Sequence, residues 1–386
     1  LTIRSDWRSG TAISWLLEEG RLLGDITSVL DGLGAALLSA GAPVARLRLA
    51  LRTVHPLVSA LSVVWERGKG ITGYAEAPHG LESRPAYIGS PMEMIAVTQL
   101  PFRKRLNGVL AASDHVVLHE LKSAGFTDYL GLPLRYSDGG SGIMIATTDL
   151  PDGFSDRDLV KLGKVASALA PIIEIFRLQH LTHAIADAYL GPRTGQRVLS
   201  GQITRGQIDK MEAAIFVSDL RDWTKISADL TPDAMVSLVN RYFDIVAEAV
   251  ETEGGEILKL LGDGVLAIFP SSSPDAAEAA CSRALRAADA ALRKARESHE
   301  PLETTFGIAI HYGDVLYGNV GSAKRIDFTV MGQAVNIAAR LEHLCSKFGE
   351  PLVFTERVAR TLSQPARYIA TEHLKGVSAP QAVFAI

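Results

Sequence analysis

The triplet Gly262-Asp263-Gly264 sits between two short apolar runs, 257–261 and 265–269, and most narrows what this chain can fold into. Glycines on both sides of an aspartate favour a tight hairpin tip, so the two runs read as antiparallel strands. Residues 213–217 read as a strand before them. Residues 232–249 read as a helix, with Met235, Leu238, Val239, Tyr242 and Val246 on one stripe. A second helix is predicted over 276–294, strands over 305–311 and 315–320, and a third helix over 333–347. The order β-α-β-β-α-β predicts a ferredoxin-like α+β fold for 207–386.

The region 1–155 reads differently. Ile13, Leu16, Leu17, Leu22, Leu23, Ile26, Val29 and Leu30 recur at helical spacing. Short strands follow: 61–65, closed by Gly68 and Gly70, and then 130–134 and 143–146 around the turn Ser137-Asp138-Gly139-Gly140. This is a second α+β pattern. Between the two regions, Ser155 and Asp158 form a capping-box-like helix start. Leu159, Leu162, Val165, Leu169, Ile172, Ile173, Ile175 and Phe176 continue it at near-heptad spacing. Such a helix either pairs with its twin in a dimer or packs on its own domain. Pro171 predicts a kink or restart. Gly191-Pro192 ends the pattern, and Gly195, Gly201 and Gly206 read as a flexible junction. The expected organisation is therefore a domain over 1–155, a helical connector over 156–206 and a domain over 207–386.

Composition agrees with two or three domains, since 386 residues divide at roughly 150 per domain. A content of 47% hydrophobic and 21% charged residues excludes a disordered chain. The net charge of -4 argues against a nucleic-acid partner. Charged residues such as Asp31, Arg46 and Arg48 break the most apolar stretches, so no membrane span is predicted. No signal peptide is read at the amino terminus. The 2 cysteines, Cys281 and Cys345, suit neither a disulfide framework nor a Cys-rich zinc site, and point to the cytoplasm.

The candidate chemistry lies in the second region. Asp219 ends a strand and Asp263 sits at a hairpin tip, so both can reach one sheet edge. Two hard oxygen ligands suit Mg²⁺, which keeps waters and takes further oxygens from phosphates; each aspartate taken singly also fits an ordinary turn. Asn336 and Arg340 share a helix face. The planar fork of an arginine matches phosphate oxygens, although a solvated helix edge would show the same pair. Lys259 and Thr329 can read a base edge, or serve as a surface lysine and a β-branched strand residue. His311 reads as packed in its strand, because no second His or Cys stands near it.

Together these segments resemble the class III nucleotidyl cyclases. Phe216-Val-Ser-Asp219-Leu220-Arg221-Asp222-Trp223-Thr224 is similar to their first metal motif and Lys259-Leu-Leu-Gly262-Asp263-Gly264 to their second. Gly307-Ile-Ala-Ile-His311-Tyr-Gly313 with Gly318-Asn-Val-Gly321 resembles their following hairpin. Phe328-Thr329-Val-Met-Gly332-Gln-Ala-Val-Asn336-Ile-Ala-Ala-Arg340-Leu-Glu resembles their transition-state helix, and Leu374-Lys375-Gly376-Val377 their final strand entry. The resemblance covers about 180 residues, in order. It implies that Asp219 and Asp263, with the Leu220 carbonyl, hold two Mg²⁺ or Mn²⁺ ions. It implies further that Lys259 and Thr329 select adenine, Asn336 positions the ribose and Arg340 stabilises the reacting phosphate. The implied enzyme is an adenylate cyclase that makes cyclic AMP and pyrophosphate from ATP at a homodimer interface. The alternatives are a cyclase for another nucleotide such as GTP, or a degenerate module that binds nucleotide without turnover. Where the family has Gly-Phe, this chain has Asp222-Trp223.

Gly131-Leu-Pro-Leu134, Gly142-Ile-Met-Ile145 and Gly153-Phe154-Ser155-Asp156 resemble part of a GAF sensor domain. Ala42-Pro43-Val44-Ala45-Arg46 and His55-Pro56 are similar to regions that precede bacterial cyclase domains. The implied input is a small molecule or another signal, and a packing domain without ligand is the other reading. No Cys precedes Cys281, which excludes a thiol-attached chromophore.

Overall fold

The computed structural model describes residues 6–52, 58–80, 83–271, 273, 276–297, 305–362 and 365–386. His55-Pro56 lie outside the described residues. The chain divides into two compact units, Leu1–Ile185 and Ala186–Ile386.

In the first unit, helices α1 (Ser9–Glu18) and α2 (Ile26–Ser39) precede strands β1 (Arg46–Arg52), β2 (Ala60–Glu66) and β3 (Gly70–Ala77). Helix α3 (Pro91–Thr98), strand β4 (Phe102–Arg105), helix α4 (Val116–Ser123) and strands β5 (Asp128–Arg135) and β6 (Ser141–Thr148) follow, then helix α5 (Asp156–Leu190). Among the described residues these strands form a six-stranded sheet in the order β3-β2-β1-β6-β5-β4. Every pair in it is antiparallel. Strand alternation sorts the side chains to two cores. Leu47, Leu49 and Leu51 of β1 pack with Leu16, Leu33, Leu162 and Leu169 from α1, α2 and α5. Ala50, Ile143 and Ile145 face the other way, onto Ile95 of α3 and Leu118 of α4.

The capping box at the start of α5 forms. The Ser155 N–H donates to Asp158 Oδ2 at 2.8 Å, and the Asp158 N–H donates to Ser155 Oγ at 3.3 Å. Against the expectation of a restart, α5 runs unbroken through Pro171. Both Pro171 and Ser167, four residues earlier, are exposed. The hydrogen bond that proline withholds is thus lost on the water side of the helix, where solvent replaces it.

The second unit begins at Ala186, in the last turns of α5, and continues with α6 (Pro192–Leu199). Gly195 lies inside this helix, so the flexible junction read there is corrected. Pro192 occupies the first helical turn, where a missing N–H costs nothing, and this outweighs the glycine. Strand β7 (Ile208–Leu220), helices α7 (Trp223–Asp229) and α8 (Pro232–Thr252), the hairpin β8 (Glu256–Leu261) and β9 (Gly264–Pro270), and helix α9 (Ala277–Glu297) follow. Next come β10 (Phe306–Gly321), β11 (Ile326–Met331), α10 (Gln333–Phe348), β12 (Leu352–Thr355), α11 (Glu356–Ala359), β13 (Arg367–Glu372) and β14 (Gln381–Ala385). The sheet order is β13-β14-β12-β10-β7-β9-β8, with β11 paired to β10. Its part β10-β7-β9-β8 is built from the β-α-β-β-α-β succession read from the sequence, with α8 and α9 as the two crossover helices. Helices α8 and α9 cover one face, through Tyr242, Val246, Ala284 and Ala288. Helix α10 packs on the other, through Ala334 and Ala338 against Ile215 and Val315.

One prediction fails here. The runs 305–311 and 315–320 are a single strand of 16 residues. Gly313 and Asp314, read as a break, continue the ladder opposite Ala213 and Glu212 of β7. The long partner strand overrides the local turn preference of Gly-Asp.

Candidate functional site

Asp219 is the next-to-last residue of β7. On that strand Ser218 faces α8, where its Oγ accepts a hydrogen bond from the Tyr242 hydroxyl at 2.8 Å. Asp219 therefore shares the opposite face with Val217, toward α10. It is flanked in register by Gly264 on β9 and Gly307 on β10. Both glycines make room for carboxylates. A Cβ at Gly264 would stand 3.2 Å from Asp219 Oδ1, and one at Gly307 would stand 2.6 Å from Glu342 Oε1.

Asp263 sits at the tip of the β8–β9 hairpin. Its carbonyl accepts from the Leu220 N–H at 3.2 Å, which ties the tip to the end of β7. The two aspartates meet, and the consequence is electrostatic. Burial, then the nearby charges of Asp263 and Glu342, push the Asp219 carboxyl up to about 7. Asp219 Oδ1 is buried without a hydrogen-bond partner. Glu342 on α10 is 6% exposed. Burial pushes it up to about 7 against the pull of Arg221.

A divalent cation fits this arrangement: it would satisfy the orphaned oxygen and offset the repulsion. Among the described residues no group of three or more His, Cys, Asp or Glu could hold a metal. A two-carboxylate site therefore suits an ion that draws its remaining oxygens from water or substrate. His311 does not contribute. It is 6% exposed, its Nδ1 lies 2.7 Å from Thr355 Oγ1, and burial holds it down to about 4.

These carboxyls predict a pH dependence without cation. Folding raises Asp219 and Glu342 from 3.8 and 4.5 to about 7, so across that window the folded chain holds more protons than the unfolded one. The stability they contribute is lost as pH rises through about 7. In chelator, Tm should fall from pH 5 to pH 8, and Asp219→Asn should lessen the fall. Equal slopes in the two proteins would refute the assignment.

Lys259 lies on β8 beside an irregularity in the pairing with β9, between Ile257 and Lys259. Its Nζ donates to Asp327 Oδ2 at 3.1 Å, and this ammonium holds the Asp327 carboxyl below its usual value. Phe328 and Val330 of β11 are buried in the core. Asp327 and Thr329 alternate with them and share the other side. Among the described residues the Thr329 hydroxyl makes only a long contact, 3.5 Å, with the Val330 carbonyl. Asn336 is exposed on α10. Arg340, one turn on, lies against Gly376, where a Cβ would be 3.1 Å from its Nη1. The fold thus joins Asp219 with Asp263, and Lys259 with the side of β11 that carries Thr329. Among the described residues no hydrogen bond or ion pair links either group to Asn336 or Arg340.

Asp222, in place of the family's glycine, has φ 54, in the left-handed region. The backbone therefore keeps the turn a glycine would favour, and Asp tolerates it better than most residues. Glu342 and Asp327 were not singled out from the sequence. Glu342 did leave a signal: a carboxylate on the apolar stripe of Ala338, Leu341 and Cys345.

Residues 207–378 match the adenylate and guanylate cyclase catalytic domain family. This stretch is a cyclase catalytic domain. It is similar to an adenylate cyclase of Anabaena cylindrica, 33% identical over 166 residues, which are 42% of this chain and 33% of that protein. Adenylate cyclase 1 of Rhizobium meliloti is 29% identical over 44% of this chain and 26% of its own length. The chain spans a third or less of these curated relatives. Among solved structures, an adenylyl cyclase from P. aeruginosa shares 24% identity over 46% of this chain and 94% of that one, with a TM-score of 0.41. No described helix is long and apolar enough to cross a membrane.

Proposed function

We propose that this chain is an adenylate cyclase that converts ATP to 3′,5′-cyclic AMP and pyrophosphate at sites shared by two copies of the chain. The Asp219–Asp263 pair, with its unpartnered buried oxygen, is the observation that carries the reading. Asp219, Asp263 and the Leu220 carbonyl would hold two Mg²⁺ or Mn²⁺ ions, which when bound activate an attacking oxygen and offset charge on a departing phosphate. Asn336 orients the ribose. Arg340 donates to oxygens of the reacting phosphate, where negative charge concentrates. The ribose 3′-oxygen bonds to the α-phosphorus as the bond to the bridging oxygen breaks. The hydroxyl proton passes to water and pyrophosphate leaves. No covalent enzyme intermediate forms, so positioning supplies much of the rate.

Lys259 favours adenine because a cationic donor meets the adenine N1 acceptor, whereas guanine presents an N–H there. An ammonium carries three donors, so the bond to Asp327 leaves it capacity for a base. The Thr329 hydroxyl can accept from the adenine amino group. Replacing both, Lys259→Glu with Thr329→Cys, should lower the ATP/GTP ratio of kcat/KM by about 100-fold. An unchanged ratio would remove both residues from base selection.

The reading as a whole is tested by product analysis after incubation with each of the four nucleoside triphosphates and Mg²⁺ or Mn²⁺. Cyclic AMP with one pyrophosphate per turnover is expected. Cyclic GMP as the main product would reassign the base, and binding without pyrophosphate release would leave a non-catalytic module. The first unit acts in this proposal as a GAF-like sensor. Its antiparallel sheet with helices on both faces supports that role, as does the continuity of α5 from that unit to Leu190.

A further inference from the structure

We infer that Glu342 sets how tightly the Asp219–Asp263 pair holds a divalent cation: it adds a third negative charge behind the pair without ligating the ion. This role rests on the proposed cation site.

The backbone is shaped to bring this side chain down onto the sheet. Leu341 and Cys345 seat α10 on Ala309 of β10 and Val353 of β12, and the Cys345 thiol donates to the Ile308 carbonyl at 3.3 Å. Glu342 shares that stripe and is as buried as its apolar neighbours. It fits because Gly307 has no side chain. A Cβ there would stand 2.6 Å from Glu342 Oε1 and 2.9 Å from Cys345 Cβ. Gly307 is also the register partner of Asp219 across β7 and β10, and such partners have Cα atoms about 5 Å apart. Asp219 faces α10, so the Glu342 carboxylate lies beside it over the same face of the sheet.

The fold does little to answer this charge. Among the described residues no hydrogen bond reaches the Glu342 carboxylate, and its one close basic contact is His343 Nδ1 at 3.5 Å, on a side chain 76% exposed. Arg221 offsets part of the charge from further away, yet burial and Asp263 still push the carboxyl up. Glu342 in turn adds to the push on Asp219, behind burial and Asp263. Native proteins seldom bury a carboxylate without a hydrogen bond unless it has a use. A divalent cation held by Asp219 and Asp263 turns the repulsion among the three carboxylates into attraction. Among the described residues no three such groups come close enough to hold one metal, so Glu342 acts through space, and Coulomb attraction falls off only slowly with distance.

The test uses the full chain with Mn²⁺ alone as the probe, followed by the electron paramagnetic resonance signal of the free ion. Wild type should bind at millimolar Mn²⁺, and Asp219→Asn should remove that binding. Glu342→Gln keeps the shape and removes the charge, and should weaken binding by about tenfold. Glu342→Asp keeps the charge, and should stay within about threefold of wild type. In chelator at pH 8, Glu342→Gln should melt at or above the wild-type Tm, because it relieves a buried charge that has no close partner. A carboxylate that merely serves the fold would give a lowered Tm there. Equal Mn²⁺ affinity in Glu342→Gln, a lowered Tm in that variant, or an equal loss in Glu342→Gln and Glu342→Asp would each overturn the role while leaving the cation pair standing. A wild type that binds no Mn²⁺, or an Asp219→Asn variant that binds it as well as wild type, would reject the pair itself and with it the role of Glu342.

Discussion

Asp219→Ala and Asp263→Ala should each lower cyclic nucleotide production by at least about 1000-fold while the domain stays folded. The two effects separate because of where the carboxylates sit. Asp219 Oδ1 is buried without a partner, and its neighbour Asp263 adds repulsion. Nothing in the fold relies on that oxygen, so its removal takes away strain and leaves the apolar packing of β7 intact. In chelator at pH 8, Asp219→Ala should therefore melt at or above the wild-type Tm. Circular dichroism and thermal melting check the fold, and pyrophosphate release with product chromatography checks the turnover. Turnover within tenfold of wild type in either variant would sink the role of the pair. Loss of activity with a lowered Tm would mean that the aspartates serve the fold instead.

The carboxylate pair was legible in the sequence because its geometry is local on each side. A Gly-Asp-Gly tip can hardly avoid a hairpin, and a strand ending in Ser218-Asp219-Leu220 places Asp219 at its edge. What brings the two together is register, with Asp219 opposite Gly264, and register follows from pairing the apolar faces of β7 and β9. Other features depend on partners far along the chain. The break expected at Gly313-Asp314 disappears because β7 supplies a long template. The Lys259–Asp327 pair joins residues 68 apart.

Arg340→Ala should lower kcat by about 100- to 1000-fold with a smaller change in KM, because the contact it loses is strongest when charge builds on the phosphate. The sharper result comes from mixing two inactive variants. Within one chain no described hydrogen bond or ion pair connects Asn336 or Arg340 to the Asp219–Asp263 pair. If each site takes its carboxylates from one copy and Arg340 from the other, Asp219→Ala and Arg340→Ala fail on opposite sides of the site. A dimer of one with the other then has one site with both defects and one site with neither. Random pairing makes half of the dimers mixed, so an equimolar mixture should recover roughly a quarter of wild-type activity. A site built within one chain gives no such recovery, since every copy in the mixture carries a lesion. The titration against mixing ratio decides between the two: activity should peak at equal amounts and vanish toward either pure variant. A mixture that stays inactive after subunit exchange, shown by co-purification of two differently tagged copies, would overturn the shared site.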